Sequence, residues 1–178
     1  MIYPKVVALY PGETAGCIIK NQNKLKSMDG LHVSMRVMAL DVGDKKIGIA
    51  VSDSMRLTAQ GRTTLRRTDV LSDIEKLRQL VEENEVYEII VGRPLHMDGR
   101  ESIQSQKIAR FAEQLGKALK TPITYRDERL TSFAAEQYLE EMGLNWRKRR
   151  EQVDKIAAMI ILQDYLDSLP KANPTANE

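Results

Sequence analysis

Residues Arg36 to Ser52 read R-V-M-A-L-D-V-G-D-K-K-I-G-I-A-V-S. Val, Ile, Leu, Met and Ala dominate both halves, and a Gly-bearing turn joins them, so the pattern predicts two short strands in a hairpin. Asp41 closes the first strand, behind Val37, Met38, Ala39 and Leu40. An ionised carboxylate there is costly to bury unless a cation or hydrogen-bond donors meet it. Asp41 therefore either touches a metal or a phosphate-bound metal, or caps the turn.

Working outward from the hairpin, the first strand is predicted over Val37–Leu40 and the second over Ile47–Val51, with Ile47, Ile49 and Val51 alternating. A more polar third strand, Arg62–Arg67, suits a sheet edge. Asp69 then stands as a candidate N-cap before Val70, Leu71, Ile74, Leu77, Leu80 and Val81, which follow helical spacing. Glu88–Gly92 is a short apolar strand, and Ile103 to Leu119 a second helix. Pro122–Arg126 is a fifth strand, Thr131 or Ser132 caps a helix through Met142, and a last helix runs from about Gln152 to Leu169 through A-A-M-I-I-L. The order β-β-β-α-β-α-β-α-α predicts an α/β fold, because helical crossovers return the chain parallel to the first strand and a mixed sheet results.

This topology sorts the acids. Asp41, the loop after Gly92 and the pair Asp127-Glu128 all fall at the carboxyl ends of co-directional strands, where open α/β sheets keep their sites. Asp53 ends the antiparallel second strand and is assigned to the opposite edge. Asp154 opens the last helix, with the small Ala157 and Ala158 on its face, so close packing on the sheet would bring it beside Asp41. Taken alone, Asp154 reads as a first-turn acid paired with Arg150 or favoured by the helix dipole. With the other acids at one edge, it reads as a member of a site. Carboxylates converging on one point do not ionise together without a counter-charge. Oxygen ligands without Cys or paired His nearby call for Mg²⁺ or Mn²⁺ rather than zinc, and such a site suits phosphodiester hydrolysis. No Ser-His-Asp or Cys-His set competes: Cys17 is the only cysteine and His32 and His96 the only histidines. His96 is given no role.

The chain has 178 residues, with 27 Lys and Arg against 25 Asp and Glu, a net charge of +2 that neither demands nor excludes a nucleic acid. A lone cysteine fits a reducing compartment, and neither a membrane-length apolar run nor a cleavable signal pattern is visible. A cytoplasmic protein with no membrane partner is expected. Residues 1–34 show no sustained period, and Met35 is a plausible start, so they are read as an appendage, poorly ordered or non-native. Met35 to Leu169 is read as one domain, and residues 170–178 as a flexible tail.

Four motifs in register, D-V-G-D-K-K-I-G-I-A-V-S-D, I-I-V-G-R-P-L-H-M-D-G, R-D-E-R-L-T-S-F-A-A-E and V-D-K-I-A-A-M-I-I-L-Q-D-Y-L, resemble the RuvX/YqgF family from Met35 to Leu169. The resemblance implies an RNase H-like fold, a five-stranded mixed sheet of order 3-2-1-4-5 flanked by helices. It also implies a metal-dependent nuclease that matures the 5′ end of pre-16S ribosomal RNA, or, as some members are described, a Holliday junction resolvase. Carried over residue by residue, it makes Asp41, Glu128 and Asp154 the catalytic and metal-binding acids, with Asp127 able to share the role of Glu128. Asp44 departs from the family pattern, in which many relatives carry Thr after D-x-G.

Trp146-Arg147-Lys148-Arg149-Arg150 is a basic cluster read as the link between the last two helices, immediately before Asp154. Its cations would neutralise phosphates and Trp146 would offer a base a stacking face. The bland alternative is a solvated link whose Trp packs on the core. Arg93, Arg100 and Arg129 lie on loops at the same edge; Arg93 and Arg129 are added to the candidate nucleic-acid contacts, although Arg129 could instead orient Asp127 or Glu128. Two rivals stand: an actin- or sugar-kinase-type phosphotransferase, which needs a second domain, and a non-catalytic RNA-binding factor of ribosome assembly. The sequence leaves open RNA against branched DNA, and monomer against homodimer.

Overall fold

Two alternating rows of side chains organise the protein. In a computed structural model, residues 36–94, 102–127, 135, 137, 140, 141 and 146–169 are described, all within the unit Met35–Glu178. Strands β1 (Arg36–Val42) and β2 (Lys46–Ser52) form the antiparallel hairpin, followed by β3 (Ala59–Arg66), helix α1 (Val70–Glu83), β4 (Val86–Arg93), helix α2 (Ile103–Leu119), β5 (Ile123–Asp127) and helix α3 (Trp146–Ser168). The sheet order is β3-β2-β1-β4-β5, with β4 and β5 parallel and β2 antiparallel to β1. This is the five-stranded mixed sheet expected of an RNase H-like α/β protein.

Met38, Leu40 and Val42 of β1 face one side with Ile47, Ile49 and Val51 of β2, where they pack under Leu77 of α1 and Ile108, Phe111 and Leu115 of α2. Val37 and Ala39 face the other side, with Ala50 and Ile90, under Ala158, Ile161 and Leu162 of α3. Strands buried on both faces explain why the hairpin reads as nearly continuous apolar residues. Asp69 caps α1 as the sequence predicts, accepting from the Ser72 amide at 3.0 Å. Ser102 caps α2 in the same way through Ser105, at 2.9 Å.

Helix α3 is fastened at its far end by a polar cluster. The Glu88 carboxylate accepts from the hydroxyls of Tyr165 (2.9 Å), Tyr87 (3.0 Å) and Thr124 (2.8 Å). Burial and then the Glu88 charge raise the Tyr165 hydroxyl well above its ordinary range, so it remains a donor. Gln163 adds a clasp to the sheet edge, accepting from the Ala59 amide at 2.9 Å and donating to the Leu57 carbonyl at 3.2 Å.

Two sequence boundaries shift by three residues or more. The third strand begins at Ala59, three residues earlier than its polar composition suggests, because β2 continues to pair with it beyond a register shift at Ile49/Ala50. The last helix begins at Trp146 rather than Gln152. Trp146 to Asp154 contains no Gly or Pro, and its Arg, Lys, Gln and Glu residues favour helix, so nothing stops the chain from coiling before the apolar run begins. The basic cluster is thus the start of α3 and not a link, and Asp154 sits more than two turns inside the helix. The helix expected from Thr131 or Ser132 to Met142 lies largely outside the described residues; Ala135, Gln137, Glu140 and Glu141 within that range are helical.

Candidate active site

Asp41 extends the Val37–Ala39 row of β1, so it emerges on the face covered by α3, near the carboxyl end of its strand. Its partner across the hairpin is Gly48. The main-chain carbonyl of Asp154 lies directly on Gly48, so closely that a Cβ at that position would overlap it. A glycine opposite the acid is therefore what allows α3 to descend onto the sheet beside Asp41. Ala157 and Ala158 are buried at the same contact, where larger side chains would lift the helix. On β3, Gly61, paired with Ala50, is covered by the aliphatic stem of Lys155, the residue after Asp154.

The electrostatics follow from this packing. The Asp41 carboxyl is pushed up to about 6, first by burial and then by the neighbouring charge of Asp154. Lys46, two residues from Gly48 on the same side of β2, brings its Nζ to 3.3 Å from Asp154 Oδ2. The ammonium does not meet this oxygen in hydrogen-bonding geometry, and Asp154 Oδ2 is buried with no hydrogen bond. The contact is a counter-charge and not a satisfied pair. One carboxylate that resists ionising and one with an orphaned, buried oxygen form a donor set suited to a hard divalent cation. Among the described residues no group of three or more acids, His or Cys is gathered. Glu128 lies outside the described residues.

The remaining candidates divide. Asp127 ends β5 opposite Arg93, exposed. Two neighbours set its direction: Arg126 stacks over Tyr165 of α3 (5.2 Å), whereas Tyr125 packs into the core under α1 and α2. Alternation therefore turns Asp127 away from the α3 side, where Asp41 and Asp154 meet. Arg93 donates to Ser105 Oγ at 2.8 Å and stacks over the Tyr125 ring at 5.3 Å, so its guanidinium is engaged with α2 and β5. Arg100 and Arg129 lie outside the described residues, and of Trp146, Arg147, Lys148, Arg149 and Arg150 only the backbone position in α3 is described. The alternative pairing of Asp154 with Arg150 lies outside the described side chains. Asp53 accepts from the Leu57 and Thr58 amides at 2.7 and 3.0 Å, closing the β2–β3 turn at the opposite edge as the topology predicts. Asp44 pairs with exposed Lys107 of α2 at 3.4 Å.

Lys46 and Gly48 are the site residues that the sequence reading passes over. Both were within reach of it, since alternation on β2 from Ala50 places Gly48 and Lys46 on the α3 face.

The described geometry coincides with a family match. The model of the family described as "RuvX: Holliday junction resolvase" matches residues 35–168. A protein of Thermoanaerobacter pseudethanolicus named "Putative pre-16S rRNA nuclease" is 48% identical over 135 residues, covering 75% of this chain and 97% of its own. A protein of the same name from Heliobacterium modesticaldum is 46% identical over 144 residues, covering 81% and 95%. Among solved structures, the fowlpox virus resolvase in complex with Holliday junction DNA is similar, with a TM-score of 0.49 at 14% identity, over 77% of this chain and all of that one.

Proposed function

The chain belongs to the RuvX family, and we propose that it is a divalent-metal-dependent endonuclease maturing the 5′ end of pre-16S ribosomal RNA in the cytoplasm. The observation that carries the chemistry is the Asp41–Asp154 pair: a carboxyl raised to about 6 beside a carboxylate whose buried Oδ2 lacks a hydrogen bond. The names of the relatives, which this chain matches over nearly their whole length, support the substrate. Branched DNA is the second reading, favoured by the description of the family.

In this reading Asp41 and Asp154 hold Mg²⁺ or Mn²⁺, and Glu128, which follows the end of β5, completes the set. Bound there, the ion would lower the pKa of an attacking water and stabilise the leaving oxygen. The protein's own part is pre-organisation. The β1–β2 ladder fixes Asp41, and the contact of α3 with Gly48 fixes the Asp154 backbone, so neither acid must be ordered when substrate arrives. Lys46 balances Asp154 while the ion is away. Arg147, Lys148, Arg149 and Arg150 in the first turns of α3, with Arg93 and Arg129, hold phosphates, and Trp146 stacks on a base. In this reading residues 35–169 constitute the nuclease domain.

Purified protein should be incubated with an RNA spanning the 5′ end of 16S and its leader, and with a four-way DNA junction, in EDTA, Mg²⁺ or Mn²⁺. Metal-dependent cutting of the RNA, abolished by Asp41→Asn, is expected. Cutting of the junction alone would move the protein to the second reading. Cutting that survives EDTA or Asp41→Asn would remove the acid pair from the chemistry.

A further inference from the structure

The β1–β2 turn, the end of β3, the start of α1 and the first half of α2 enclose an open cleft of about 840 Å³. Its charges do not cancel. Three acids line it, and each is already engaged. Asp73, buried, meets Arg67 Nε at 3.1 Å and the Thr68 amide at 3.0 Å. Asp69 is engaged by the Ser72 amide, and Asp44 by Lys107. Lys45, Arg66 and Arg110 also line the cleft; all three are exposed, and none has an ion pair or a hydrogen bond from its side chain among the described residues. They come from three different elements, so together they offer a row of cations and not a single pocket.

Two further features point to the kind of ligand. Phe111 in the lining is buried and lies under the Arg67 guanidinium, 4.8 Å from its ring centre, so it offers no open face on which a base could stack. Recognition here would read charge and not base identity, which is how proteins contact a nucleic-acid backbone. Lys46 belongs to both places: it lines the cleft, and its ammonium stands 3.3 Å from Asp154. The cleft therefore begins at the hairpin turn that carries Lys46 and runs toward α2 on the α1/α2 side of the sheet, opposite the face on which Asp41 and Asp154 meet.

Resting on the nuclease reading, we propose that this cleft is a second track for the substrate RNA, in which Lys45, Arg66 and Arg110 hold the phosphodiester backbone that leads away from the cut. It is separate from the basic start of α3, and a substrate would engage the protein on both sides of the acids. A short oligonucleotide reaching only the acids gains nothing from the cleft, whereas a longer RNA does.

The test is fluorescence anisotropy of the full chain in EDTA over a range of KCl concentrations, with the long pre-16S leader RNA and a short oligonucleotide from its centre. The triple variant Lys45→Ala, Arg66→Ala, Arg110→Ala should bind the long RNA roughly 100-fold more weakly near 0.1 M salt, with the log–log salt slope reduced by about 2 to 3, and bind the short one almost unchanged. Lys76→Ala, an exposed cation of α1 outside the cleft lining, should keep the slope. An unchanged slope in the triple variant, or an equal loss per charge in Lys76→Ala, overturns the proposal. If the triple variant melts early, Arg110→Glu alone must still weaken the long RNA selectively, and failure to do so is equally fatal. Cleavage by the unsubstituted protein in Mn²⁺ is scored separately. Cutting with no effect of the cleft variants removes the track and keeps the nuclease. Selective loss of RNA binding in a protein that cuts nothing keeps the track and removes the nuclease. If a four-way DNA junction titrated in the same way loses affinity in the triple variant while the long RNA does not, the assignment to RNA is overturned.

Discussion

Asp41→Asn isolates the electrostatic penalty that the metal-free site carries. The carboxyl moves from an ordinary value of 3.8 to about 6 on folding, through burial first and the Asp154 charge second. The folded protein therefore binds the Asp41 proton more tightly than the unfolded chain does. The associated stabilisation is complete below the unfolded value and is lost as pH rises through about 6. At 1.36 kcal/mol per unit, the full difference is about 3 kcal/mol, of which about 2.5 kcal/mol falls between roughly pH 4 and pH 7.5. An amide at this position cannot ionise and escapes that loss. It carries its own cost for a polar group placed where donors and acceptors are few, but that cost does not change with pH.

The comparison is thus between two pH values and not between two proteins at one. In EDTA, the melting temperature of Asp41→Asn minus that of the unsubstituted protein should rise from about pH 4 to about pH 7.5 by roughly 10 °C, taking about 3–5 °C per kcal/mol for a domain of this size. Mn²⁺ should then restore the unsubstituted protein, by about 2.7 kcal/mol at a hundred times its dissociation constant, and leave Asp41→Asn unmoved. A melting difference that stays flat with pH would refute the penalised ionisation of Asp41. A Mn²⁺ response that survives the substitution would refute its role as a ligand.

Other perturbations address the neighbouring links. Gly48→Ala should lift α3 from the hairpin, lowering stability by about 1–3 kcal/mol in urea unfolding and abolishing cleavage, since the added methyl overlaps the Asp154 carbonyl. Arg67→Ala should lower stability by about 3–5 kcal/mol, because it strands buried Asp73 and also removes the bond to the Gly43 carbonyl at 3.0 Å. Alanine at Arg147, Lys148, Arg149 and Arg150 together should weaken RNA binding and lower its salt slope while sparing turnover at saturating substrate, as titrations and single-turnover kinetics would show. Asp154→Asn should abolish cleavage with the apo protein still folded; a variant that still cuts would leave Asp154 only its contact with Lys46.

The fold was legible where local pattern and tertiary environment agree. The hairpin strands are buried on both faces, so their composition alone marks them, and the Asp69 cap announces α1. The crossovers marked the sheet as mixed, while its order, 3-2-1-4-5, was legible only through the family resemblance. Legibility fell where the environment is ambiguous. Strand β3 is an edge strand with Gln60, Gly61 and Arg62 in it, and tertiary contacts, the pairing with β2 and the Gln163 clasp at Ala59, hold its first residues extended. At α3 the apolar run drew attention to the middle of the helix, while its beginning is coded by propensity alone, in residues that would serve equally well in a solvated link.

The candidate site was legible in a different way. Asp41 stands out because an acid at the end of a buried row conflicts with its surroundings, and such conflicts concentrate at functional positions. Asp154 does not stand out: an acid in a helix is ordinary, and its significance depends on how deeply that helix sits. That depth is set by residues with nothing to show chemically. Gly48 contributes the absence of a side chain, and Ala157 and Ala158 contribute very little of one. At the other end, Glu88 collects three hydroxyls and holds Tyr165 in place, which fixes the helix that carries Asp154. The acids are brought together against their mutual repulsion by packing along the whole of α3, and the conflict persists in the metal-free protein as the raised Asp41 carboxyl. A helix resting on glycine cannot relax that conflict by drifting sideways without losing its contacts. In the metal-free protein a proton on Asp41 relieves it, and on the reading proposed above a divalent cation shared with Asp154 would take that place as pH rises through about 6.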